Sequence, residues 1–216
     1  MLSRAPVVHT HRMADMDAFR DEIARWAAGG ASATAAELAA DLGLRTAVLL
    51  EGPSDLAAVE ELAAREDRDL TAEGVAVVSM GGAMSVGRFA GLLGPPGLGL
   101  RLTGLCDARE EPFYDRGWQR AGAVRDFHVC VADLEDEMIR ALGPERVEEV
   151  IRSEGELRPW QTFLAQPAQH GRTRQQQLRR FLSTRKGRKI RYGSLLVQAL
   201  DGERPPAPLA DLLAGL

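Results

Sequence analysis

The chain changes its hydrophobic period several times, and those changes outline the fold. Asp15 to Trp26 spaces apolar residues as one helical stripe, with acids at its start and Gly29-Gly30 as its stop. Thr34 to Leu42 reads as a second, alanine-rich helix. At Thr46 the pattern shifts to a short, wholly apolar run, Thr46–Leu50 (TAVLL), closed by Glu51-Gly52-Pro53, as expected of a strand buried on both faces. Ser54–Arg65 returns to helical spacing, with Leu56, Val59, Leu62 and Ala63 on one stripe and Pro53-Ser54 at its N-terminal boundary. The unit recurs. Val75–Met80 is followed by Gly81-Gly82 and a helix carrying Val86, Phe89, Ala90 and Leu93; Leu100–Cys106 ends at Asp107; Phe127–Val131 leads to Asp133 and a helix over Leu134–Leu142. Alternating strands and helices predict an α/β fold with a mainly parallel sheet and helices on both faces. Residues 144–200 read as helices only. The expected division is a flexible N-terminus and helical extension over 1–43, with 1–12 unstructured, an α/β domain over 44–143, and a basic helical region over 144–216.

Length and composition add bounds. A chain of 216 residues, 45% hydrophobic and 27% charged, suits one α/β domain with an appendage and argues against wholesale disorder. The two cysteines, Cys106 and Cys130, cannot form a disulfide scaffold, and no Cys/His spacing suggests structural zinc, so both are expected as reduced core thiols. The N-terminus has no secretory h-region and no apolar run reaches bilayer length, so a cytoplasmic protein without a membrane partner is expected. The N-terminal helices are compatible either with packing on the sheet or with pairing two chains as a homodimer.

Charge changes the picture more. Ten basic residues and no Asp or Glu lie between Arg158 and Tyr192, so the rest of the chain carries −14 against a total of −4. A basic run of this kind can be a solvated helix face. Here glutamines, Trp160, Phe163 and His170 are interleaved with the arginines, a mixture suited to a phosphate backbone, where Arg forks onto oxygens and Gln adds neutral hydrogen bonds. Nucleic acid is the favoured partner, with Arg172, Arg174, Arg179, Arg180, Arg185 and Arg188 as its candidate contacts.

The strand ends are acidic. Glu51 follows the first strand, with Asp55 a turn later; Asp107 ends the third, with Glu110 and Glu111 close behind; Asp133, Glu135 and Glu137 follow the fourth. In an open parallel sheet ligands bind outside the carboxyl ends of the strands. Carboxylates gathered there repel one another unless a cation lies between them, and hard oxygen ligands suit Mg²⁺ or Mn²⁺. Helix capping explains Asp55 and Asp133 equally well, but explains Glu51 less readily because it ends an apolar strand before a Gly-Pro turn.

The motifs LLEGPSD, VVSMGG, LCDARE and VADLEDEMIRALG, each after a strand, resemble the Toprim domain in the version found in OLD-family nucleases. The resemblance covers about Arg45 to Leu142 and continues loosely into the basic helices. It is also close to standalone Toprim proteins without the ATPase domain to which OLD-type modules are usually fused. It implies a metal-dependent phosphoryl-transfer site. Glu51 matches the glutamate after strand one, Asp55 the acid a turn later and Asp107 the first aspartate of the DxD motif. Glu135 matches the later acidic motif, with Asp133 and Glu137 as neighbours able to share its role; Lys189 or Lys186 matches the lysine that approaches the phosphate. Arg109 stands where the family places the second acid of DxD. Either Glu110 takes that place by a shift of the loop, or one of two metal positions is weakened or lost. The resemblance therefore implies a Mg²⁺-dependent endonuclease-like hydrolase acting on DNA, the alternative being a catalytically weak module that binds nucleic acid or a separate ATPase partner. The chain has no Walker motif, and its two tyrosines, Tyr114 and Tyr192, make a poor case for a strand-passing enzyme.

Overall fold

The computed structural model describes residues 5–31, 33–200, 202 and 204–216, with the side chains of residues 5–11 and of Lys186 outside the description. Four strands form one sheet: β1 (Thr46–Leu50), β2 (Val75–Ser79), β3 (Arg101–Asp107) and β4 (His128–Cys130). Their order is β2-β1-β3-β4 and every pairing is parallel. Leu50 pairs with Leu105, and Asp107 with Cys130, which aligns the strand ends along one rim.

Successive strand residues face opposite sides, so each strand feeds two cores. Val48, Leu50, Val75, Val77 and Leu105 enter one core; Ala47, Leu49, Ala76, Val78, Leu102 and Cys106 enter the other. The first core is covered by α3 (Pro53–Arg65) and by the C-terminal helices α6 (Leu134–Leu142), α7 (Pro144–Ser153), α8 (Leu157–Leu164), α9 (Arg174–Leu182), α10 (Lys186–Gln198) and α11 (Ala207–Ala214). The second is covered by α1 (Ala5–Ala27), α2 (Ala33–Asp41), α4 (Val86–Leu93) and α5 (Glu111–Ala121). An aromatic cluster anchors each side: Trp160, Phe163 and Phe181 on one, Tyr114, Trp118 and Phe127 on the other. The expected α/β architecture is present. Both cysteines are buried and free, and no described helix is long and apolar enough to cross a membrane.

Two details differ from the sequence reading. The first helix begins at Ala5, not Asp15, so most of the tract expected to be unstructured is helical, while residues 1–4 lie outside the described residues. Its stripe of Met16, Phe19, Ile23 and Ala27 is buried in the core shared with α4 and the sheet. Second, α5 and α11 are helices to which the sequence reading assigns no bounds, although it reads 144–216 as a helical region. In α5 the apolar stripe is only Tyr114, Trp118 and Ala121 among polar residues, so the helix is defined by what it packs against.

Candidate metal centre

β1 and β3 are the central strands, and the chain leaves them on opposite faces, through α3 after β1 and α5 after β3. A crevice therefore opens between their carboxyl ends. Glu51 follows β1 and Asp107 ends β3. Carboxylate oxygens of Glu51, Asp107 and Glu110 all lie within 4.8 Å of one another. Backbone bonds hold the group: the Gly82 N–H donates to the Glu51 carbonyl (2.9 Å), and the Glu110 N–H donates to the Asp107 carbonyl (2.9 Å). That second bond closes a tight turn. Glu110 comes back over the strand end while Arg109 is exposed. Of the two consequences of Arg109, the geometry has Glu110 beside Glu51 and Asp107.

Asp55 is in the first turn of α3, where its carboxylate accepts the Gly52 N–H (3.0 Å). Burial pushes its pKa up to about 7, reinforced by the Glu135 charge and opposed by Lys189. Asp107 is likewise raised to about 7, by burial and then by Asp133, Glu51 and Asp55. Glu110 is raised to about 8, by burial and then by its hydrogen bond with Glu51. Its Oε2 is buried without a hydrogen-bond partner among the described residues. Crowded acids that resist ionisation, with an orphaned carboxylate oxygen among them, are a donor set short of positive charge, and hard oxygen donors fit a divalent cation of the Mg²⁺ or Mn²⁺ type.

Glu135, 7% exposed, is raised by burial and opposed by Lys189, whose Nζ lies 3.1 Å from its Oε1. Burial alone would depress the Lys189 pKa, but Glu135 and Asp55 outweigh it and the net shift is upward. The lysine is placed by helix packing. One turn after it, a Cβ on Gly193 would sit 2.4 Å from the Ser54 carbonyl oxygen, so α10 approaches the start of α3 as only glycine allows. This close approach brings Lys189 to the acids of α3 and α6. The Lys186 backbone opens α10, and its side chain lies outside the described residues.

Two expected acids have other partners. Asp133 caps α6, accepting the Asp136 N–H (2.8 Å), and pairs with Arg179 at 2.5 Å. Glu137 accepts the Val131 N–H (2.7 Å) and pairs with Arg140 (2.5 Å). Asp133 still bears on the centre as the largest charge felt by Asp107; Glu137 is occupied in holding the end of β4 to α6.

The basic segment needs correction. Arg174 pairs with Glu148, Arg179 with Asp133, Lys189 with Glu135 and Arg191 with Glu154. Arg188, expected to contact nucleic acid, is instead 7% exposed: its guanidinium forks onto Glu156 (2.8 and 3.0 Å) and stacks over Phe181. Five of the ten cations therefore pair with acids of the chain itself, Arg188 alone of them buried. Arg158, Arg172, Arg180 and Arg185 are exposed.

This arrangement, a parallel sheet with acids converging between β1 and β3, defines a Toprim-type α/β domain. Residues 22–108 match the family model described as "Overcoming lysogenization defect protein-like, TOPRIM domain". The resemblance drawn from the strand-end motifs therefore holds, and a Toprim domain of the OLD-like type occupies that stretch. The fold likeness extends further. The C-terminal region of the Xanthomonas campestris pv. campestris OLD protein is 24% identical with a TM-score of 0.58, covering 79% of this chain and 93% of that one. The C-terminal region of the Burkholderia pseudomallei OLD protein is 20% identical with a TM-score of 0.56, covering 80% of this chain and 96% of that one. No curated protein matches the chain in sequence.

Proposed function

We propose that the chain is a Mg²⁺- or Mn²⁺-dependent nuclease that hydrolyses DNA phosphodiester bonds. The observation that carries this reading is the meeting of Glu51, Asp107 and Glu110 at the crevice of an OLD-like Toprim fold, with Asp55, Glu135 and Lys189 packed behind them. Glu51, Asp107 and Glu110 would hold a divalent ion, with Asp55 and Glu135 as further donors, and the ion when bound supplies charge neutralisation at the phosphoryl oxygens and a water of lowered pKa. Lys189, kept cationic by Glu135 and Asp55, faces the negative charge that builds on the phosphate. Exposed Arg172, Arg180 and Arg185 offer backbone contacts without sequence preference.

The test is nicking of supercoiled plasmid by the purified protein with Mg²⁺ or Mn²⁺ against EDTA. Metal-dependent nicking is expected, abolished in Glu51→Ala and in Asp107→Ala, and reduced about 10²–10³-fold in Lys189→Ala. Nicking that persists in both carboxylate variants would place the chemistry elsewhere. Salt-sensitive binding without cleavage would leave a nucleic-acid-binding module in its place.

A further inference from the structure

The rim that carries the acids also carries exposed apolar side chains, which acid–metal chemistry does not need. Met84 is 86% exposed in the short 3₁₀ turn Ala83–Ser85 after β2. Phe113 is 37% exposed in the first turn of α5, after β3, and Val131 is 71% exposed just after β4. Met13 and Val124 are the other large apolar side chains similarly exposed among the described residues, and neither follows a strand.

Met84 and Phe113 are brought to the same end of neighbouring helices. The backbones of α4 and α5 come together at Gly87 and Gly117, where a Cβ on Gly117 would meet the Gly87 nitrogen at 3.3 Å. Met84 precedes one of these glycines by three residues and Phe113 precedes the other by four, so each lies about one turn before the contact. The 3₁₀ turn itself packs against α5. Phe113 is also tied to the centre, since its N–H donates to the Glu110 carbonyl (2.8 Å).

The charges beside these groups are mixed: Glu111 and Asp115 of α5 pair with Arg125, while two arginines stand beside the ring. The Arg116 guanidinium lies 4.9 Å from the Phe113 ring centroid, and Arg109 is exposed in the turn between Asp107 and Glu110. Among the described residues neither arginine makes an ion pair. An exposed ring steadied by a guanidinium, with a second arginine in the preceding turn, meets the two demands of an unpaired nucleotide: a surface on which the base stacks and positive charge for its phosphate. A paired duplex hides its base faces and has no use for the ring.

We propose that Phe113, with Met84, Arg116 and Arg109, forms a subsite for an unpaired nucleobase next to the phosphate at the carboxylate centre, so that the favoured substrate is single-stranded or locally opened nucleic acid. This rests on the nuclease reading and goes beyond it by naming the substrate's strand state. It also gives Arg109 a role: the cation standing in the place of the second DxD acid serves the substrate.

The experiment measures fluorescence anisotropy of labelled oligothymidylate, oligouridylate and a hairpin duplex in Ca²⁺, using wild type, Phe113→Ala, Phe113→Leu, Phe113→Trp and Glu51→Ala. Wild type is expected to bind a single strand more tightly than the duplex, the two single strands reporting whether deoxyribose or ribose is preferred. Phe113→Ala and Phe113→Leu are expected to lower the ratio of single-strand to duplex affinity about tenfold, and Phe113→Trp to restore it. An unchanged ratio in the alanine and leucine variants, or equal loss for single strand and duplex, overturns the subsite. If wild type still nicks DNA and Glu51→Ala does not, that outcome leaves the nuclease reading standing. Wild type that binds none of the probes and nicks nothing overturns both.

Discussion

Glu110 shows how much one residue's setting decides. Its type is ordinary and its place in the sequence, three after Asp107, could equally be helix capping; the turn closed onto the Asp107 carbonyl puts it against Glu51. Three carboxylates here, Asp55, Asp107 and Glu110, have folded pKa values raised above their unfolded values, so between about pH 4 and pH 8 these three groups hold more protons in the folded chain than in the unfolded one. Their contribution to stability is present below the ordinary carboxylate range and is lost as pH rises through the folded values. In EDTA the melting temperature is therefore expected to fall between about pH 5 and pH 8.5, and added Mg²⁺ to raise it more at the upper end, where the acids are ionised. A melting temperature flat or rising over that interval, measured by differential scanning calorimetry, would contradict the crowded-acid account.

At the scale of elements, the contact of α10 with α3 sets the lysine. Glycine to alanine inside a helix ordinarily stabilises by about 1 kcal/mol. At Gly193 the added methyl would lie 2.4 Å from the Ser54 carbonyl oxygen, so overpacking of about 1–3 kcal/mol opposes that gain. Gly193→Ala is expected to lower denaturant stability and to reduce nicking by drawing Lys189 back from Glu135, with every site side chain unchanged. Greater stability in that variant would show that the two helices can separate at no cost. Helix α5 illustrates the converse, an element hard to read locally. Glu111-Pro112 is a sound helix start, but Gly117 interrupts the stripe, and that glycine is there for its contact with α4.

For the whole molecule, the charge asymmetry visible along the chain is partly offset by pairing within the fold. α6, α7 and the segment around Glu154-Glu156 supply acids, and α9 and α10 supply their partners. The prediction separates two kinds of arginine. Arg188→Met leaves Glu156 without its fork and is expected to destabilise by about 3–5 kcal/mol. Arg180→Ala and Arg185→Ala are expected to leave stability nearly unchanged, each lowering the slope of log affinity against log salt for DNA by about one. Chemical denaturation and salt-dependent binding check the two halves. If Arg188→Met were neutral and reduced the salt slope instead, the buried pairing would be wrong.

The sequence by itself determined the four strands, the helices that follow three of them and the acids after them, because burial on both faces demands continuous apolar runs and the residue that ends such a run declares itself. It also carried the Toprim resemblance, since the strand-end motifs are local. Only the tertiary structure decided that Glu110 joins Glu51 and Asp107, that Glu137 turns to Val131 and Arg140, that Lys189 reaches Glu135, and that Arg188 is interior. Each depends on partners distant in the chain or on how tightly a turn closes, and a carboxylate or guanidinium has the same identity whether it faces water, a helix terminus or an opposite charge.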